Sequence, residues 1–109
     1  MLIQTRTIIV KAGHTEEVIE RFSQPGGPMT KIPGFIDLSV AVKKLRKRDA
    51  EEEEVLILVR WESEEAWKAW EKSPEHIAGH RNKNSQEKPD YLISTTVNMY
   101  EVKTVKHPT

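Results

Sequence analysis

"VLILVRWESEEAWKAWEKSPEHIAGH", residues 55–80, decides the fold. Its first seven residues are apolar on both faces of an extended chain. Leu56 and Leu58 point one way, and Val55, Ile57, Val59 and Trp61 the other. A strand that wants burial on both sides lies in the middle of a sheet. Ser63 then supplies a helix cap, and Glu64 and Glu65 suit the positive end of the helix dipole. "SEEAWKAWEK" (63–72) reads as a helix. Ser73 followed by Pro74 is a second cap and first-turn pair, so "SPEHIAGH" (73–80) reads as a restart of that helix.

Working outward, "LIQTRTIIV" (2–10) is rich in β-branched residues and predicts the first strand. "HTEEVIERFS" (14–23) predicts a helix with Thr15 as N-cap and Val18, Ile19 and Phe22 on its apolar face. "QPGGP" (24–28) stops it. "FIDLSVAVKKL" (35–45) alternates with period two, Ile36, Leu38, Val40 and Val42 against Asp37, Ser39 and Ala41. "RKRDAEEEE" (46–54) reads as a solvated hairpin end. "RNKNSQEKPDY" (81–91) reads as a polar loop, and "ISTTVNMYEVKTV" (93–105) as a last strand. The order β-α-β-β-α-β predicts an α+β, ferredoxin-like domain over 1–109, a four-stranded antiparallel sheet with its helices on one face. Two helices cover only one side of such a sheet. The second apolar face of 55–61 therefore predicts a homodimer packed sheet to sheet.

Composition narrows the function. Lys plus Arg and Asp plus Glu number 17 each, so no net charge recruits nucleic acid or an anionic membrane. There is no cysteine, which removes disulfides, thiolate metal sites and cysteine nucleophiles. The N-terminus lacks a signal peptide's pattern, no stretch approaches a membrane span, and a cytoplasmic location is expected. No GxSxG, HExxH or phosphate-cradling glycine loop is present.

All three tryptophans and two of the four histidines fall in 61–80. Each indole buries roughly 150–250 Å² when enclosed, worth about 4–6 kcal/mol as an upper value. Packing alone thus accounts for Trp61, Trp67 and Trp70 without a ligand. His76 and His80 are four apart and share a helical face. That spacing is open between a haem iron ligand, half of a metal site and two surface histidines. Glu71 and Glu75 are not convincing as a third metal ligand, and the small Ala78 and Gly79 would let a flat macrocycle approach. His14 and His107 read as surface residues.

The chain resembles the IsdG-type haem-degrading monooxygenases, within the wider antibiotic-biosynthesis-monooxygenase group of dimeric ferredoxin-like proteins with an α+β barrel. The resemblance runs through "VIERF" (18–22), "PGF" (33–35) and "LVRWESEEAWKAWEKSPEHIAGH" (58–80), with the spacing W-x8-W-x9-H at Trp61, Trp70 and His80. It implies His80 as axial ligand of haem iron and Trp70 as the indole that bends the porphyrin. Trp61 is implied to be structural. The family's first-strand asparagine has Thr5 as its nearest match, and a slip of one residue is open there. Arg81 or Lys83 would meet the propionates, or stay solvated.

The implied reaction is that of an oxidoreductase in which haem is both cofactor and substrate. O2 and reducing equivalents from an external donor or reductase open the ring and release iron. Two alternatives stand beside it: a cofactor-free monooxygenase of the same fold acting on quinols or phenols, and a non-enzymatic haem-binding or haem-buffering protein.

Overall fold

A computed structural model describes residues 1–44, 50–78 and 89–108. The elements in chain order are β1 (Leu2–Lys11), α1 (Thr15–Phe22), a 3-10 turn (Pro28–Lys31), β2 (Phe35–Val42), β3 (Glu52–Trp61), α2 (Glu64–Glu71) and β4 (Leu92–Glu101). A further helical stretch covers 74–78. The strands form one antiparallel sheet in the order β2-β3-β1-β4, which does not close on itself. This is the expected ferredoxin-like arrangement.

The apolar strand is indeed central. Val55, Ile57, Val59 and Trp61 are all at most 4 % exposed, and they form one core with Ile8 and Val10 of β1, Val18 of α1, and Ala66 and Trp70 of α2. Leu56 and Leu58 face the other way and are only half-buried. The register sets Thr5 against Leu58 and Thr7 against Leu56 on that helix-free face. Asp37 and Arg60 meet there through the Arg60 Nε–H, 2.8 Å from Asp37 Oδ1, and through a second guanidinium nitrogen. The guanidinium's hydrogen bond holds the Asp37 carboxyl below the usual carboxylate range.

Ser63 caps α2 as expected, its Oγ accepting the Ala66 N–H at 3.2 Å. At α1 the cap position belongs to His14 instead of Thr15, and no side-chain cap bond forms. His14 stacks on Tyr91 at 5.0 Å and approaches the Glu17 carboxylate at 3.1 Å. In β2 a bulge leaves Ile36 without a cross-strand partner, so Phe35 rather than Ile36 joins the core beside Trp61. Glu52 to Glu54, expected in the hairpin end, extend β3 by pairing with β1 from Ile9 to Lys11. The Glu53 carboxylate accepts the Gly13 N–H at 2.6 Å. The last strand stops at Glu101, short of the expected residue 105.

Gly34 fixes how α2 sits on the sheet. Its φ is +95°, and a methyl group there would lie 2.5 Å from the Ala66 Cβ. Its carbonyl accepts the Glu62 N–H at 2.7 Å, tying the entrance of β2 to the exit of β3. The glycine of "PGF" is thus required by both backbone conformation and helix approach. Among the described residues no helix is long and apolar enough to cross a membrane.

Candidate functional site

Between the sheet and its helices lies a cavity of about 620 Å³, within the ~300–1,000 Å³ range typical of small-molecule and cofactor sites. Its floor is mostly apolar: Leu38, Ile57, Val59 and Val97. Gln4 and Arg6 of β1 are the polar groups of that floor. One wall comes from Phe22 of α1 with Gly26, Pro28, Met29 and Thr30. "QPGGP" is therefore more than the end of a helix, because its backbone and the following turn shape the site. The opposite wall is Trp70 and Glu71 of α2 with Glu75 and His76 beyond it.

The break between α2 and the next helical stretch arranges that second wall. Ser73 is 8 % exposed. Its hydroxyl donates to the Trp70 carbonyl at 2.7 Å and accepts the His76 N–H at 3.2 Å. One side chain therefore closes the first helix and caps the second. The chain turns enough to bring His76 edge-on to Trp70, with ring centroids 5.0 Å apart and planes at 67°. His76 Nε2 lies 3.0 Å from a Glu71 carboxylate oxygen. Trp70 is 9 % exposed and belongs to the core while lining the cavity, so the core and pocket readings of this indole both hold. Trp67 packs against the core with its indole N–H buried and without a partner among the described residues, as is that of Trp61.

Charge in the pocket centres on Arg6. Its guanidinium is pushed below the ordinary arginine value by burial first and by the positive charge of Arg21 second, with Glu71 opposing. It remains protonated, as an arginine in a protein does.

Of the site residues expected from the sequence, Trp70 lies in the pocket wall. His80, with Gly79, Arg81 and Lys83, falls outside the described residues. Thr5 requires correction. It alternates with Gln4 and Arg6 along β1, so its side chain belongs to the helix-free face, opposite Leu58 and Asn98. A slip of one residue changes the face, and the β1 side chains on the cavity are Gln4 and Arg6. The 26–30 turn, read from sequence only as a helix stop, lines the pocket, and so do His76, whose role the spacing left open, and Glu71. Among the described residues no three His, Cys, Asp or Glu side chains gather as a metal site.

Comparison with known proteins agrees with this geometry. Residues 1–82 match the antibiotic biosynthesis monooxygenase family. The haem-degrading monooxygenase HmoA of Bacillus subtilis (strain 168) is 50 % identical over 109 residues, covering all of this chain and 97 % of that protein. A Bacillus cereus crystal structure assigned to the antibiotic biosynthesis monooxygenases superposes with a TM-score of 0.83 at 46 % identity, covering 98 % of this chain and 97 % of that one. The haem degrader MhuD of Mycobacterium tuberculosis, solved with two haems in its active site, superposes with a TM-score of 0.64 at 26 % identity, covering 94 % and 95 %. With its fold, cavity and full-length relatives in agreement, the chain belongs to the antibiotic biosynthesis monooxygenase family.

Proposed function

We propose that the chain is a haem-degrading monooxygenase that takes haem as cofactor and substrate and releases iron. The observation that carries this reading is the cavity walled by Trp70, in a chain half identical over its full length to HmoA. The residues fit the group. The floor offers Leu38, Ile57, Val59 and Val97 to an apolar macrocycle, and the wall offers a large aromatic face. Haem when bound supplies the iron at which dioxygen is reduced and the ring that is oxidised.

The chain's own contribution is positioning and exclusion. Trp70 is held from behind by the core and at its edge by His76, so it forms a wall that does not yield to the ring. A rigid wall can impose shape on what it touches. His80, four residues beyond His76, would hold the haem iron, as the family resemblance implies. The apolar floor keeps water from the reacting face. Electrons come from an external donor or reductase, and the reaction belongs to the cytoplasm, where reductant is at hand.

Titrating the protein with haemin and then adding ascorbate under air tests this. A Soret shift that His80→Ala abolishes, followed by decay with released iron in the presence of catalase, is the expected result. A shift that His80→Ala leaves unchanged removes the assigned ligand. A Soret band that survives reductant turns the reading to haem storage.

The helix-free face supports a second expectation. Leu56 and Leu58, flanked by Thr5 and Thr7, stay half-buried in one chain, and a second copy placed sheet to sheet would cover them. Sedimentation should give twice the 12.6 kDa of the chain; a monomer at micromolar concentration would leave that face without an occupant.

A further inference from the structure

Arg6 stands in the middle of β1, between Ile57 of β3 and Val97 of β4, and projects from an apolar floor into the cavity. Among the described residues it makes no hydrogen bond and no ion pair within 4 Å. The charges that act on it are Arg21, of like sign, and Glu71, whose carboxylate is already 3.0 Å from His76. A half-buried guanidinium with no hydrogen-bonded anion among the described residues carries a desolvation cost. Methionine or leucine would finish this floor better. The cost is offset when a ligand brings a carboxylate, because a guanidinium and a carboxylate form two parallel charge-assisted hydrogen bonds.

We propose that Arg6 is the carboxylate-binding residue of the pocket, pairing with a propionate of the bound porphyrin. The inference rests on the haem reading and deepens it. Arg6 selects ligands that carry a carboxylate, and Arg21 adds positive potential on the same side. A neutral phenol or quinol of similar size would fill the apolar floor and leave the guanidinium unanswered. Selectivity therefore comes from a polar group that the wrong ligand strands. Thr5, on the opposite face of the sheet, has no part in it.

The test crosses a protein change with a ligand change. Haemin and haemin dimethyl ester, whose propionates are blocked and uncharged, are titrated by Soret absorbance into the wild-type chain, Arg6→Met and Arg6→Lys. Metal-free protoporphyrin IX and its dimethyl ester are titrated by fluorescence, since they contain no iron to ligate. The wild type should prefer each free acid over its ester. Arg6→Met should weaken the acids about tenfold to a hundredfold and leave the esters within about threefold. Arg6→Lys should fall between, keeping the charge and losing the fork.

Arg6→Met without ligand should also melt at or above the wild-type temperature, because it removes a half-buried charge that pairs with no described residue. Equal weakening of acid and ester, or no change in either, overturns the assignment while leaving haem as the ligand. A lower melting point for Arg6→Met overturns it too, since Arg6 would then serve the fold. A wild-type chain that binds neither haemin nor its ester removes the haem reading and this inference together.

Discussion

Trp61→Ala is expected to remove ~3–5 kcal/mol of stability. The residue is fully buried at the end of the central strand, between Leu2 of β1 and Phe35 of β2, and its ring meets Phe35 edge-on at 5.6 Å. Truncation would leave a cavity beneath α2, where Gly34 and Ala66 already pack too closely for the backbone to collapse inward. Small domains hold only ~5–15 kcal/mol in total. At about 4–8 °C per kcal/mol for a domain of this size, the melting temperature should fall by ~12–40 °C.

Trp61→Phe is the informative companion. The indole N–H is buried without a partner among the described residues, and leaving a donor so costs about 1–3 kcal/mol. Phenylalanine loses area but removes that cost, so it should fall only ~1 kcal/mol below wild type. Thermal and urea melts of the three proteins measure this. A phenylalanine variant as unstable as the alanine one would mean that the indole nitrogen has a partner after all.

The order of elements was legible because β3 declares itself. Four alternating apolar residues, a capping serine and two first-turn acids leave one reading for 55–66, and Ser73–Pro74 marks the helix break just as clearly. What escaped were features set by register rather than by local pattern. Glu52 to Glu54 look like a solvated hairpin end, yet backbone pairing with β1 carries them into the ladder whatever their charge. The bulge at Ile36 exchanges one aromatic for one aliphatic residue in the core. Thr15 has the side chain of a cap, but the helix already begins at Thr15 and leaves the cap position to His14, whose ring is drawn to Tyr91 across the fold.

The site was legible in the same uneven way. Trp70 was visible only through the family resemblance, since packing alone accounts for all three indoles. The polar floor was not, because "QTRT" alternates and only the pairing of Arg6 with Ile57 and Val97 says which half faces the cavity. Family resemblance alone led to Thr5, one residue away and on the wrong face. His76 and Glu71 also needed three dimensions. Their contact depends on the turn that Ser73 imposes, which no helical wheel drawn through 63–80 contains.

Trp70 separates binding from reaction. Trp70→Phe keeps an aromatic ring against the core and should hold haemin affinity within about threefold. It withdraws bulk from the cavity side, so the wall would press less on a bound ring. Haem decay under ascorbate should then slow by at least about tenfold, or ~1.4 kcal/mol of barrier. Trp70→Ala should slow decay further, but it also opens the core, with a stability loss of ~3–5 kcal/mol that must be measured alongside. The phenylalanine variant therefore carries the argument, since its fold is expected to stay intact. Binding constants from Soret titration, decay rates and melting temperatures on the same samples decide between two roles. An indole that shapes the ring lowers the rate with affinity kept, whereas one that only fills the wall lowers affinity and leaves the rate of bound haem unchanged.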